Sequence, residues 1–282
     1  MMLRIPSQKG VALAMLMWFV AALSLLVVAL VAQSRLDVRL AQLHRDQAIA
    51  AAAGDGAVQL GMDRWYATKI GGTKRGWSQT NVMLGGISAQ VTVVSLSGLI
   101  DVNAAPPGLL VKAFTVAGKV PMERAEALAQ RVVNYRNPPR QQGRLKYNPH
   151  FDVLEDLLRV PGIGRELLER LRSVMYGAGT GQPGVNVGFA PPAVLAVLGA
   201  DADQAQRIVS ARGGDGANMG GFGFAREFQS TRHIMMYRVD AVVNVNEKQF
   251  LRRCWVKIGR SAQGVLPWHI YRREPPRLLS TG

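Results

Sequence analysis

Lys9-Gly10-Val11-Ala12-Leu13-Ala14-Met15-Leu16-Met17-Trp18-Phe19-Val20-Ala21-Ala22-Leu23-Ser24-Leu25-Leu26-Val27-Val28-Ala29-Leu30-Val31-Ala32 sets the architecture of this chain. From Val11 to Ala32 the run is 22 residues, with Ser24 its only polar interruption, and the first acidic residue is Asp37. At 1.5 Å per residue a helix of that length covers about 33 Å, the thickness of a bilayer's hydrocarbon core. A secretory signal would carry an apolar region of roughly 7–15 residues ending at a small-residue cleavage site. Here Gly10 precedes the run. Cleavage after it would remove the basic leader and leave the apolar helix attached, with Val11 as the new N-terminus. An ordinary uncleaved anchor fits the same composition. Arg4 and Lys9, unmatched by acids, predict a cytoplasmic N-terminus and a single pass through a bacterial inner membrane, with the C-terminal domain in the periplasm.

Beyond the membrane run, Leu36, Leu40, Leu43 and Ala51 recur near helical spacing and extend one helix to about Met62, with Gly54 and Gly56 weakening it and Gly61 as its end. Residues 63–86 read as loop. Ile87 to Leu96, then Ser97-Gly98, then Leu99 to Val102, reads as a hairpin. After Asn103-Ala104-Ala105-Pro106-Pro107 the pattern turns helical: about 107–117, 121–135, 152–159 and 165–174, with Asp152 and Glu155 as a capping box. An internal repeat follows. Ile100-Asp101-Val102-Asn103-Ala104-Ala105-Pro106-Pro107 aligns with Val185-Asn186-Val187-Gly188-Phe189-Ala190-Pro191-Pro192, and Arg131 to Arg136 aligns with Arg207 to Arg212. Residues 213–223 are a glycine-rich connector without the Gly-Lys-Ser/Thr ending of a phosphate loop. Strands return at about 233–245, 248–258 and 267–272, with Asn244 to Glu247 as a turn.

The predicted class is α+β: a long N-terminal transmembrane helix, an antiparallel sheet and a large inserted helical domain. The predicted boundaries are leader 1–10, helix 11–62, β body 63–103 plus 228–282, and helical insertion 104–227.

Lys and Arg number 34 against 19 Asp and Glu, a net charge of +15, which suits nucleic acid, an anionic surface or acidic proteins without choosing among them. The one cysteine, Cys254, excludes an internal disulfide and reads as a buried structural thiol in a strand. Nothing points to an enzyme. The four histidines are scattered, His150 with Asp152 makes at most two metal ligands, and no Gly-x-Ser-x-Gly or His-Glu-x-x-His motif occurs. The sharpest local signal is Pro161-Gly162-Ile163-Gly164-Arg165, which resembles the turn of a helix-hairpin-helix motif, whose backbone N–H groups can cradle a phosphate. Arg170 and Arg172 follow. Leu168 stands where DNA-binding versions keep a small residue, and the same turn joins two helices with no ligand at all.

The leader, with Gly10 before the apolar helix, resembles the class III leader of type IV pilins and secretion pseudopilins. In order behind it come Gly98-Leu99-Ile100-Asp101-Val102-Asn103-Ala104-Ala105-Pro106, Phe151-Asp152-Val153-Leu154-Glu155-Asp156-Leu157 with Val160-Pro161-Gly162, and Val185-Asn186-Val187 with Ala190-Pro191. Over nearly its whole length the chain resembles the general secretion pathway protein K family, the large minor pseudopilins of type II secretion systems. The resemblance implies a non-enzymatic assembly subunit at the pseudopilus tip, cleaved by a prepilin peptidase, with the minor pseudopilins I and J as partners. Met15, fifth after cleavage, stands where most pilins carry glutamate. A carboxylate in lipid persists only where it has a partner, and the family likewise lacks it. The family's calcium-binding stretch is replaced here by Asn134-Tyr135-Arg136-Asn137 followed by Pro138-Pro139-Arg140, so the resemblance implies a calcium site lost or weakened and no cofactor. A pilin-like DNA-uptake protein, using the Pro161–Gly164 turn and the basic head, is the alternative; nucleic acid is not the expected partner.

Overall fold

The computed structural model describes residues 9–70, 77–138, 150–211, 223–259 and 266–281. The chain divides into two compact units, Met1–Ala50 and Ala51–Gly282, with the boundary inside a single helix, α1 (Lys9–Ile70). In the first unit every described side chain from 12 to 42 is exposed. Among the described residues one helix is long and apolar enough to cross a membrane, by length and composition alone.

In the second unit α1 does not stop at Gly61 but runs to Ile70. Gly54, Ala57, Val58, Gly61, Met62 and Trp65 are buried at helical spacing, one stripe laid on a sheet. The glycines lie on that stripe because the sheet comes too close for a side chain. A Cβ on Gly54 would stand 2.5 Å from the Arg252 Cβ, and one on Gly61 2.5 Å from the Val91 Cγ1. Glycine's cost to the helix, about 1 kcal/mol, is offset by packing. Met62, Val58 and Trp65 are essentially buried, each contributing about 1.5–3 kcal/mol.

The sheet holds β1 (Trp77–Leu84), β2 (Ile87–Ser95), β5 (Met236–Val245), β6 (Lys248–Ile258), β7 (Trp268–Arg273) and β8 (Arg277–Thr281). Its order is β1-β2-β5-β6-β7, with β8 also on β6, and every pairing is antiparallel. Strand β1 occupies part of the expected 63–86 loop. It is an edge strand of Ser78, Gln79, Thr80 and Asn81 in which only Val82 is fully buried, so it carries almost no apolar alternation. Gly85 and Gly86, both at positive φ, make the tight β1–β2 turn. The Asn246-Glu247 turn between β5 and β6 matches the expected position, with both residues left-handed.

The expected hairpin of Ile87–Leu96 with Leu99–Val102 does not form. Ser97-Gly98 lie in a 3-10 turn capped by the Ser95 hydroxyl, and β3 (Ile100–Asp101) pairs in parallel with β4 (Met175–Tyr176). Leu96, Leu99 and Ile100 are wholly buried, so the chain leaves the sheet and dives into the helical core. There α2 (Pro107–Lys112), prolonged by a π-helical turn, packs on α3 (Met122–Arg136), and α5 (Pro192–Leu198) packs on α6 (Ala202–Ala211). Pro107 and Pro192 each stand at the first helical position, as the repeat predicts. A 3-10 turn, Leu154–Arg159, precedes α4 (Arg165–Leu171). Its cap is not the Asp152–Glu155 pair: Asp156 accepts from the backbone N–H groups of Asp152 and Val153 at 3.0 and 3.1 Å. Glu155 is drawn away to Arg172. The glycine-rich stretch 213–223 lies outside the described residues except for Gly223. Val94 and Trp255 of the sheet join the helical residues in one apolar core.

Candidate functional site

Of the leader junction, the structure describes Gly10 and Val11 as helical backbone, and residues 1–8 lie outside the described residues. Met15 is exposed on the same helix.

The Pro161–Gly164 turn is packed against α3. Gly162 has φ +94, and the Arg131 guanidinium donates to the Pro161 carbonyl at 2.9 Å. A Cβ on Gly162 would meet Arg131 Nη1 at 2.7 Å and Leu128 Cδ2 at 3.0 Å. Ile163 and Leu168 are buried beneath the turn. Arg170 pairs with Glu166 at 2.5 Å and donates to the Gly118 carbonyl at 3.1 Å; Arg172 pairs with Glu155 and Glu169 at 2.6 and 2.9 Å. Arg165 is exposed and, unlike Arg170 and Arg172, has no ion-pair partner among the described residues. The turn is a joint between helices.

At the expected calcium stretch, Asn134 accepts from the Gln130 amide at 2.8 Å, and the Asn137 N–H closes α3 on the Val133 carbonyl. Arg136 turns inward and donates to the carbonyls of Val102 and Ala105 at 2.9 and 2.7 Å. Burial lowers its pKa, against the pull of Asp101. Residues 139–149, including Arg140, lie outside the described residues. Among the described residues no three His, Cys, Asp or Glu side chains gather where they could hold a metal ion. Cys254 is buried, and burial pushes its thiol up to about 11.

The segment from Gly98 to Pro106 ties the helical units together. A Cβ on Gly98 would stand 2.0 Å from the Phe189 carbonyl oxygen, so the backbone just before the first repeat copy touches that of the second, and Asn186 N–H donates to the Ser97 carbonyl at 2.7 Å. Asp101 is buried and accepts from Asn103 N–H, the Thr180 hydroxyl and Gly181 N–H at 2.9, 2.8 and 3.0 Å. Asn103 exchanges two hydrogen bonds with the Phe151 backbone, both 2.9 Å.

Sequence reasoning missed the charged network between sheet and helices. On the sheet face opposite α1, Arg253 grips Asp240 bidentately at 2.6 and 2.9 Å, and Arg238 stands 3.1 Å from the same carboxylate. Arg238 also donates to the Arg172 carbonyl at 2.7 Å. Burial would raise the Asp240 pKa, but the two arginines outweigh it and hold it below the usual carboxylate range. Arg238 is pushed down to about 10 by burial, against the pull of Asp240. Next to it, Glu274 accepts from the Trp255 indole at 2.9 Å, Arg272 lies 4.2 Å over the Trp255 ring, and Arg277 pairs with Glu169. Burial acts to raise Glu155, but the hydrogen bond and charge of Arg172 prevail and lower it. A cleft of about 220 Å³ opens here, lined by Arg172, Arg253 and Arg277 beside Leu251, Pro275 and Pro276, with Glu155 and Glu274 in its wall. The only sequence signal was the density of arginine in 252–253 and 272–277.

No protein-family model matches the sequence, and no curated protein matches it. A solved chain does match in fold, from "The Crystal Structure of the GspK-GspI-GspJ complex from enterotoxigenic Escherichia coli Type 2 Secretion System", with TM-score 0.51 and 12% identity. The match covers 86% of this chain and 99% of that one. The likeness is one of fold: a long N-terminal apolar helix, an antiparallel sheet and further helices, the α+β class expected from the sequence.

Proposed function

We propose that this chain is a minor pseudopilin of a type II secretion system, of the K type, acting at the tip of a periplasmic pseudopilus and not as an enzyme. The observation that carries this is the extent of the fold match. It covers 86% of the chain, leaving out about 40 residues, so it takes in most of the helical insertion as well as the sheet. The resemblance assigns that combination to the large K subunit. The partners in this reading are the I and J pseudopilins, the two that accompany GspK in the name of the matched complex. The apolar helix from Val11 to Ala32 anchors the chain in the inner membrane, and Met15 suits a subunit with no neighbour ahead of it.

The test is co-purification of the full chain, in neutral detergent, with its cognate I and J proteins; a stable ternary complex at micromolar concentration is expected, and its absence would sink the proposal. Cleavage after Gly10 is checked by mass: coexpression with a prepilin peptidase leaves a 272-residue product, the 282 of the chain less 10. Calcium makes little difference to the melting temperature in this reading. The ion pairs of Arg170 and Arg172 count against DNA contact through the Pro161–Gly164 turn, and a steep salt dependence of tight DNA binding would reverse that judgement.

A further inference from the structure

Among the described residues, the cleft between sheet and helices carries one positive charge more than its carboxylates neutralise. Arg172, Arg272 and Arg277 face Glu155, Glu169 and Glu274, three against three. Arg238 and Arg253 share the single carboxylate of Asp240, two against one. An uncompensated charge in such a place is costly; of the two arginines on Asp240, Arg253 lines the cleft and Arg238 does not. Arg253 spends Nε and Nη2 on Asp240, and Arg172 spends Nε and Nη1 on Glu169 and Glu155. The remaining nitrogens, Arg253 Nη1 and Arg172 Nη2, donate to no described group, yet neither is among the sealed, unpartnered atoms of the core. Both residues line the cleft. Arg277, about two-fifths exposed, stands at the rim.

We propose that this cleft binds a monovalent carboxylate, held by Arg253 and Arg172 with Arg277 closing over it. One surplus charge calls for one negative charge. Glu155 and Glu274 in the wall oppose a dianion such as sulfate or hydrogen phosphate. The planar guanidinium edge suits a planar carboxylate. Leu251, Pro275 and Pro276 supply an apolar wall for a short aliphatic group, and 220 Å³ is about seven water volumes. The carboxylate comes either from a small free acid or from a polypeptide's C-terminus, and the two sources bind through the same nitrogens.

The experiment is calorimetric titration of the full chain in uncharged detergent with acetate, with an acetylated tetrapeptide ending in leucine with a free carboxylate, with the same peptide amidated, and with sulfate. Saturable binding of a carboxylate, at least tenfold tighter than sulfate or the amidated peptide, is expected. A peptide tenfold tighter than acetate assigns the site to a polypeptide end, and equal affinity assigns it to a free acid. Arg277→Gln weakens binding at least fivefold with little change in melting temperature. Glu155→Gln frees Arg172 Nη1 and tightens it, so two variants move in opposite directions even if Arg253→Gln fails to fold. Absence of binding, sulfate bound as tightly as the carboxylates, or a Glu155→Gln variant that binds more weakly while still folded would each overturn the proposal.

Discussion

The two faces of the sheet are held by different physics. Toward α1 the contact is close packing with a single carboxylate beside it: Gly54 and Gly61 bring the helix backbone against Arg252 and Val91, Met62 and Trp65 fill the gap between, and Asp55 takes Arg252 at 2.8 and 3.0 Å. Toward the helical insertion it is electrostatic: Asp240, Glu155, Glu169 and Glu274 are interleaved with five arginines. The close-packed face is sensitive above all to an added methyl group. A charged face tolerates small changes of shape but not the loss of a partner.

The sharpest way to break this contrast is Asp240→Asn, which leaves Arg238 and Arg253 buried together without a counter-charge. A loss of about 3–5 kcal/mol is expected, read as a fall in the urea midpoint of the full chain in micelles. Acidification strikes the same face. Asp240 and Glu155 have folded-state pKa values below their unfolded ones. Their stabilisation is therefore present above the ordinary carboxylate range near pH 4 and is lost as pH falls through the lower folded values. Urea midpoints measured from pH 6 down to 2.5 should fall steeply below about 4 in the native chain, and less so in Asp240→Asn; equal slopes would contradict the assignment. Gly61→Ala tests the other face. Its Cβ meets Val91, so overpacking of about 1–3 kcal/mol competes with a helix-propensity gain of about 1, a net loss with no change in pH dependence. Arg165→Ala touches neither face and should stay within about 0.5 kcal/mol of the native chain.

What could be read from the sequence follows from where the physics is local. Pro106-Pro107, Pro121 and Pro191-Pro192 mark helix starts, and valine alternation marks β5, so helices and inner strands are legible. Edge strands β1 and β8 are not: they bury little and so carry little pattern. The end of α1 was obscured because glycine chosen for close approach looks the same as glycine that stops a helix. The candidate site was the least legible of all. Its pairs join residues as far apart as Glu169 and Arg277, 108 positions, and no window of sequence contains both partners.

Strands β2 and β5 are neighbours, with Ser95 opposite Tyr237, yet 142 residues separate them along the chain. The sheet therefore cannot close by local zippering; nearly the whole helical insertion must be made before its central pair can meet. The parallel β3–β4 pair and the Ser97–Asn186 bond tie the insertion to the segment that leaves β2 and shorten the stretch still to be closed. The β1–β2 and β5–β6 hairpins are local, so the slow step is the long-range closure of β2 on β5. Until the sheet closes, the apolar stripe from Ala57 to Trp65 has nothing to lie on, and a chain emerging from a membrane would depend on its insertion folding promptly.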